Sequence, residues 1–328
     1  MQLKDIVGNE RLVKLLRRAR PPRASLPQAS LFAGPEGIGK RTLALALAAL
    51  ANCGQPEGED LCGRCPSCIK AAAGNHPDIR VYHPEKNVIT VDMMRDLSRE
   101  AQFRPFEGQA RVFIIDPAEK LNEAASNSIL KILEEPPPTS KIVLISARPQ
   151  KLLSTVRSRC QIFLFGPLTR KQIQLYLEQH GPSAQAGERS ACARGSIGRA
   201  VTLDLEQLAG DRDNMLELFM EWFESHSFEA FYRRCEGNPL RGDLKKRERV
   251  LEYLEQIQLL AEDLYFLKVE TEERVINQDR LKDLKSLSGK ITLDCLREFS
   301  HQVNQARWEV EHYVNPLMSF ETLWLKSV

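Results

Sequence analysis

The chain has 328 residues, of which 42% are hydrophobic and 27% charged, and its formal net charge is +2. This length favours two or three domains over one small core, and the small charge excludes a whole-molecule field that would attract nucleic acid. No apolar run reaches the roughly 18 residues of a membrane span, and the opening residues MQLKDIVGNE lack the apolar stretch of a signal peptide. We therefore expect a cytoplasmic protein with no membrane partner.

Five short apolar runs in the first half of the chain are predicted to be strands. They are rich in Val, Ile and Phe, which is typical of strands covered on both faces. Helical segments separate them, including residues 124–135, which stop before three consecutive prolines. This alternation predicts an α/β fold with a mostly parallel, doubly wound sheet. The five runs are residues 29–34, 79–83, 111–116, 141–146 and 160–165.

A phosphate-binding loop follows the first run. Residues 34–42 read GPEGIGKRT and stand between a predicted strand and an Ala- and Leu-rich helix, which is the setting that a P-loop requires. Gly34, Gly37 and Gly39 would let main-chain N–H groups surround a phosphate, and Lys40 would neutralise its outer oxygens. The pattern predicts a nucleotide site.

One position of this loop departs from the motif. The residue after the lysine should carry a hydroxyl group that binds Mg²⁺, but it is Arg41. Thr42 comes one residue later, which turns its side chain by about 100° around the helix. We therefore expect poor binding of Mg²⁺, and the sequence leaves open whether ATP is bound at all.

Four of the eight cysteines fall within sixteen positions, just after the P-loop helix. In a chain without a secretion signal, such a cluster indicates metal binding rather than disulfides. Four thiolates suit one tetrahedral Zn²⁺ and leave no open coordination position, so the ion is expected to be structural. An iron–sulfur cluster remains the alternative. The four are Cys53, Cys62, Cys65 and Cys68.

The third predicted strand ends in Asp116. An aspartate at the carboxyl end of a strand is typical of the acidic group that holds Mg²⁺ in P-loop proteins, although a simple strand-end cap is the alternative. After residues 166–167, Gly-Pro, strand patterns cease. A small helical lid is predicted over residues 167–207 and an all-helical domain over 208–328.

Taken together, these motifs and their order resemble the AAA+ clamp-loader subunits of bacterial DNA polymerase III along essentially the whole chain. The resemblance implies an AAA+ module at residues 1–166 with a zinc insertion at about 53–68, the lid at 167–207, and a collar at 208–328 through which subunits assemble. The segments that carry it are IVGNE (6–10), GPEGIGKRTLA (34–44), the cysteine insertion, NHPD (75–78), VFIID (112–116), SNSILKILEEPP (126–137), STVRSRC (154–160), GSIGRA (195–200) and VNPLMSFETLWL (314–325).

The resemblance also implies a catalytic role for Arg159 outside its own site. In the family, this position carries an arginine finger that reaches the γ-phosphate held by a neighbouring subunit. A guanidinium supplied in this way can raise the rate by 10³–10⁵. Without the family, Arg159 would be interpreted as a surface ion-pair residue.

Three groups that motor subunits use are missing from this chain. The Mg²⁺ hydroxyl is replaced by Arg41, the glutamate after Asp116 by Pro117, and the sensor 2 arginine by Gly198. Ser146 fits sensor 1 weakly. These absences favour a subunit that does not hydrolyse ATP.

The implied partners are the tau/gamma and delta subunits in a heteropentamer, with the sliding clamp and primer-template DNA reached through that complex. Two alternatives stay open. One is an active ATPase subunit of the tau/gamma kind, because such subunits also carry the zinc insertion. The other is a free-standing AAA+ nucleic-acid remodeller that forms a ring of identical subunits.

Overall fold

The structure is a computed structural model that describes residues 2–17, 26–225 and 240–326. The chain divides into two compact units, Met1–Leu203 and Asp204–Val328. Among the helices of these described ranges, none combines the length and the apolar character needed to cross a bilayer.

The first unit contains one parallel sheet of five strands in the order β2-β3-β4-β1-β5. All five predicted strands are confirmed. Because β1 lies between β4 and β5, Ala33 at its carboxyl end is level with Ser146 and Leu164. The bounds are β1 Ala29–Ala33, β2 Ile79–Tyr82, β3 Arg111–Ile115, β4 Ser140–Ser146 and β5 Gln161–Leu164.

Two layers of helices cover the three central strands, β1, β3 and β4, which are buried almost throughout. The edge strands β2 and β5 are only partly covered. Phe32 of β1 packs with α1, α2 and the cysteine loop on one face, whereas its neighbour Leu31 packs with α4 to α7 on the other, following the two-residue period of a strand. The helices are α1 Glu10–Arg17, α2 Lys40–Ala51, α3 Pro66–Ala72, α4 Val91–Glu100, α5 Glu123–Ser128, α6 Leu130–Glu134 and α7 Ser154–Arg157.

The helix predicted over residues 124–135 is two helices, α5 and α6, which meet at Ile129. The side chain of Ser128 donates to the main-chain oxygen of Ala125 at 2.7 Å. Such a local side-chain bond competes with the helical hydrogen bonds of the backbone. The predicted end is confirmed, because α6 stops at Glu134 before the prolines.

Three short helices follow the sheet within the first unit: α8 Arg170–His180, α9 Ala186–Cys192 and α10 Ile197–Thr202. They surround a small core of their own, centred on Ile173 and Leu177. Thr169 and Gln172 form a capping box at the start of α8, which fixes the chain direction where it leaves the sheet. We refer to α8–α10 as the lid.

The second unit is helical throughout its described residues. Trp222, Phe299 and Trp324 meet in its core, with ring centroids about 6 Å apart. Pro316 is the first residue of α16, a position that suits proline because its missing N–H would have no partner there. The helices are α11 Leu205–Ser225, α12 Leu240–Asp243, α13 Arg247–Lys268, α14 Leu281–Lys290, α15 Leu293–Glu311 and α16 Pro316–Lys326.

The NHPD segment before β2 ends in a buried carboxylate, that of Asp78. Asp78 accepts hydrogen bonds from the main-chain N–H groups of Phe106, Glu107 and Gly108, at 2.7–3.0 Å. These groups belong to the loop that leads into β3. Burial raises the pKa of Asp78, but the three donors outweigh it and hold the pKa below its usual value of 3.8. Asp78 therefore anchors that loop as a charged acceptor.

We expect Asp78→Asn to lower the free energy of unfolding by about 1–3 kcal/mol, because the amide cannot replace the charged acceptor. The folded-state pKa of Asp78 is depressed, so its contribution is present above the unfolded pKa of about 3.9 and is lost as the pH falls through the folded value. Urea unfolding at pH 7 and pH 3 measures both effects. The exposed residue Asp92 of α4 provides the control, since Asp92→Asn should change stability by less than about 0.5 kcal/mol. Equal stabilities of Asp78→Asn and the wild type would contradict this role.

Candidate nucleotide and metal sites

The P-loop connects β1 to α2 at the carboxyl edge of the sheet. Gly37 and Gly39 have φ values of 70° and 93°, a region in which other residues are strained. The loop ends at Gly39, the N-cap of α2, and the N-terminus of a helix is where P-loops bind phosphate. The predicted glycines and Lys40 thus come together as the motif indicates.

Lys40 turns back onto its own loop. Its Nζ donates to the main-chain oxygens of Gly34 at 2.6 Å and Pro35 at 2.5 Å, and the residue is only 6% exposed. Burial lowers the pKa of Lys40, while the nearby carboxylates of Glu119 and Asp116 act in the opposite direction. The ammonium group is therefore engaged by carbonyl oxygens at the place where a phosphate would be bound.

Arg41 lies beside the acidic group of the predicted Mg²⁺ site. Its Nε is 3.9 Å from a carboxylate oxygen of Asp116, and its guanidinium donates to Nε2 of His83 at 2.9 Å. His83 Nδ1 lies 2.9 Å from the main-chain oxygen of Asp116, so the neutral ring with its proton on Nδ1 satisfies both bonds. Burial raises the pKa of Asp116, and Arg41 opposes that effect. A side-chain cation thus stands where the motif would supply a metal ligand, and Thr42 is exposed.

Ser146 and Glu119 complete this edge of the sheet. Ser146 is fully buried, and its Oγ accepts from the N–H of Arg148 at 3.0 Å. Glu119 Oε1 accepts from the N–H of Ala147 at 3.1 Å, and its Oε2 is buried with no partner among the described residues. Neither Glu119 nor His83 was among the site residues predicted from sequence. The position of His83 just after β2 was the available signal, because parallel strands end at one edge.

The lid contacts the P-loop through main-chain atoms. The N–H of Gly198 donates to the oxygen of Gly37 at 2.9 Å, and a Cβ atom on Gly198 would lie 2.9 Å from the Cα of Gly37. A side chain at residue 198 therefore does not fit this arrangement unless the backbone moves. The glycine at the sensor 2 position allows the lid to rest directly on the loop.

The four predicted cysteines form one buried cluster in which all sulfur atoms lie within 4.8 Å of one another. Cys53 and Cys62 sulfurs are 3.6 Å apart, and Cys62 and Cys68 sulfurs are 4.0 Å apart. A tetrahedral Zn²⁺ with bonds of about 2.3 Å requires sulfur separations of about 3.8 Å. The cluster therefore fits a tetrahedral metal ion and has the ligand set that zinc prefers.

Main-chain N–H groups point at the sulfur atoms. Those of Cys62, Cys65 and Cys68 donate to the sulfurs of Cys53, Cys62 and Cys65, each at 3.4 Å. Burial alone would raise the pKa of Cys65, but the N–H groups of Cys68 and Gly54 lower that pKa to about 6. The N–H groups thus favour the thiolate of Cys65, the form that binds metal. Burial raises the pKa of Cys53 and Cys68, so a metal ion would have to displace protons from these two thiols.

The cysteine loop also fastens the start of the chain. The carboxylate of Asp60 accepts from the N–H groups of Leu3 and Lys4 at 2.9 and 3.1 Å. Leu3 is fully buried in the same core as the cysteines. Further along this segment, Asn9 exchanges two hydrogen bonds with the backbone of Gly166, where the lid begins. The metal loop is therefore connected to the base of the lid through residues 2–9.

Arg159 lies at the opposite edge of the sheet from the P-loop. It precedes β5, which is parallel to β1, whereas Lys40 follows the carboxyl end of β1. Five residues at about 3.3 Å each separate the two edges by about 17 Å. Arg159 contacts Glu134 of α6 and the main-chain oxygen of Thr155. The structure therefore does not bring Arg159 together with the other predicted site residues.

Comparison with known proteins gives consistent relatives. A family model described as DNA polymerase III, delta subunit, matches residues 8–169. The DNA polymerase III subunit delta' of Bacillus subtilis (strain 168) is 29% identical over 291 residues, which are 88% of this chain and 87% of that protein.

Two further relatives align over shorter parts of their length. Subunit delta' of Pseudomonas aeruginosa is 43% identical over 140 residues, 42% of this chain and 43% of that protein. Subunit tau/gamma of Haemophilus influenzae is 30% identical over 258 residues, 74% of this chain and 36% of that protein. This chain is thus similar to the delta' subunit of DNA polymerase III over 88% of its length, and over residues 8–169 to the family described as DNA polymerase III, delta subunit.

Proposed function

We propose that this chain is a clamp-loader subunit that does not hydrolyse ATP and supplies Arg159 to the nucleotide site of a neighbouring subunit. The observation that carries the first part is the position of Arg41, whose guanidinium stands beside Asp116. Mg²⁺ in a P-loop site needs this acidic group together with a hydroxyl group from the loop. Here the hydroxyl is absent and the carboxylate already faces a cation.

The remainder of the pocket supports the same conclusion. Lys40 is bound to loop oxygens, and the lid backbone rests on Gly37. Pro117 follows Asp116 and offers no acid to polarise a water molecule. Entry of a nucleotide would require Lys40 to exchange its partners and the lid to lift from the loop. Each of these changes costs free energy that nucleotide binding to an ordinary P-loop does not require.

Arg159 is suited to act on another chain for a geometric reason. It lies at the edge of the sheet opposite to its own P-loop, and its side chain is 31% exposed. A neighbour that presents the carboxyl edge of its sheet to this side would place a triphosphate within reach of the guanidinium. The charge that develops in phosphoryl transfer would then be stabilised in trans.

An apolar strip along β5, the strand that follows Arg159, supports a protein contact on this side of the sheet. Ile162 and Leu164 of β5 are 48% and 75% exposed. They lie level with Leu31 and Ala33 of β1, which are buried against α4 to α7. The strip thus continues a buried face of the sheet beyond its helical cover. A neighbouring subunit that packs against this strip would both bury apolar surface and receive Arg159.

Zinc, assembly and location belong to the same proposal. The cysteine cluster holds one structural Zn²⁺, and the collar, residues 208–328, joins tau/gamma and delta subunits in a heteropentamer. The chain works on the sliding clamp and primer-template DNA through that complex, in the cytoplasm, where thiolates stay reduced. In this proposal the lid domain comprises residues 167–207, which include α8–α10.

One observation favours the alternative of an active tau/gamma-type ATPase. Glu119 has an unpartnered carboxylate oxygen near Lys40, and such a group could polarise a water molecule. Its other oxygen is bound by the N–H of Ala147, and the Mg²⁺ ligand is still missing. Hydrolysis by the isolated chain that Glu119→Gln abolishes would establish this alternative.

For the metal, we expect elemental analysis of the purified chain to give one zinc ion and no iron. Cys65→Ser should reduce zinc to well below one per chain, because zinc binding and the fold of the loop are coupled. Cys192→Ser, outside the cluster, is the control and should keep the full ion. Iron in place of zinc would contradict the assignment. A wild-type chain that is as stable without metal as with it would also contradict it.

For the finger, we expect Arg159→Ala to slow ATP hydrolysis at the neighbouring site of the assembled loader by about 10³-fold or more. The total ATPase rate of the loader should fall by the fraction that this one site contributes, while gel filtration shows an intact complex. Lys151→Ala, an exposed basic residue close to the same segment, should leave the rate unchanged. A complex with Arg159→Ala that hydrolyses ATP at the normal rate would refute the finger role.

A further inference from the structure

The finger candidate is bound to a carboxylate of its own chain. Arg159 Nε donates to Oε1 of Glu134 at 2.5 Å, its Nη2 contacts the same oxygen, and its Nη1 donates to the main-chain oxygen of Thr155 at 2.9 Å. Every nitrogen of the guanidinium thus has a partner within this subunit. In this arrangement the positive charge faces Glu134 rather than a neighbour.

Both members of the pair stand on well-packed elements. Glu134 is the last residue of α6, whose Ile132 and Leu133 are buried against the sheet. Arg159 follows α7, whose Val156 is buried in the same core. The backbones on either side are therefore fixed, and the pair can open by rotation of the side chains alone. No rearrangement of the fold is needed to release the arginine.

The pair is accessible to a competing anion. The side chain of Arg159 is 31% exposed and that of Glu134 is 49% exposed, and exposed ion pairs are weak because water screens them. A triphosphate carries more negative charge than one carboxylate and accepts two parallel hydrogen bonds from a guanidinium. A nucleotide held by a correctly placed neighbour would therefore displace Glu134, whereas a distant one would not.

We propose that Glu134 is a positioning residue that stores Arg159 and thereby keeps ATP hydrolysis low until the subunits close around their DNA. This inference rests on the proposed finger function of Arg159. On closure, the guanidinium leaves the Glu134 carboxylate and binds the γ-phosphate oxygens of the neighbour's nucleotide. No covalent bond changes in this exchange. Glu134 thus sets the ratio between the ATPase rate with clamp and primed DNA and the ATPase rate without them.

The test uses Glu134→Gln in the loader assembled with its tau/gamma and delta subunits. The variant keeps the shape of the side chain but removes the charge. We expect the ATPase rate without clamp and DNA to rise by up to about fivefold, the factor that the loss of an exposed ion pair allows. The rate with clamp and primed DNA should stay unchanged, because Arg159 is then already released.

Glu135→Gln provides the matched control. Glu135 is the adjacent residue, is exposed and carries the same charge, so its substitution should alter neither rate. The double variant Glu134→Gln/Arg159→Ala should behave as Arg159→Ala alone, which an effect of Glu134 on folding or assembly would not produce. An unstimulated rate that stays constant or falls in Glu134→Gln would overturn the storage role.

A second measurement separates this inference from the finger function. In the isolated chain, the ¹⁵N NMR signal of Arg159 Nε should shift, and its proton should exchange faster with water, in Glu134→Gln but not in Glu135→Gln. An unchanged signal shows that the pair does not exist in solution and sinks the inference, whatever Arg159 does. If the signal shifts but Arg159→Ala leaves the loader's ATPase rate normal, the proposed function fails instead, and the storage role fails with it.

Discussion

The shared direction of the five strands decides which side chains can meet. Because every strand runs the same way, the segments after β1, β2, β3 and β4 meet at one edge, which brings Lys40, His83, Asp116 and Ser146 together. The segment before β5 is carried to the other edge, where Arg159 lies. The sheet thus separates the P-loop from Arg159 by its own length. Arg159 is therefore too distant to act on a nucleotide held by the P-loop of its own chain.

Within the pocket, the central relationship is the exchange of a metal ligand for a cation. Arg41 brings a positive charge to Asp116, a role that Mg²⁺ fills in a working site. Arg41 offsets part of the effect of burial on this acid, whose pKa stays raised, and Lys40 is bound by the oxygens of its own loop. The main-chain hydrogen bond from Gly198 to Gly37 holds the lid against the same loop. The pocket resembles a nucleotide site that has been converted into a packing interface.

Much of the fold could be predicted from sequence because it depends on local patterns. The five apolar runs, the Gly-rich loop and the cysteine spacing each have a physical meaning within a few residues. The break at Ile129 was not predicted. It lies next to a side-chain hydrogen bond from Ser128 to the main-chain oxygen of Ala125, a local contact that the apolar pattern of the segment does not reveal.

The contacts between distant segments could not be predicted. Arg41 was expected only to lack a hydroxyl, and its pairing with Asp116 and His83 depends on where β2 and β3 place those groups. The storage of Arg159 by Glu134 likewise depends on how α6 and α7 pack. Such pairs join residues 25 to 75 positions apart, and one sequence contains no measure of their separation in space.

The most direct test of the converted pocket is ATP binding by the isolated wild-type chain, measured by calorimetry with and without Mg²⁺. Because Arg41 takes the place of the metal ligand, we expect any affinity to be weak and equal in the two conditions. In Arg41→Ser, which supplies the missing hydroxyl, addition of Mg²⁺ should strengthen binding. Tight binding by the wild-type chain that requires Mg²⁺ would contradict the replacement of the metal by Arg41.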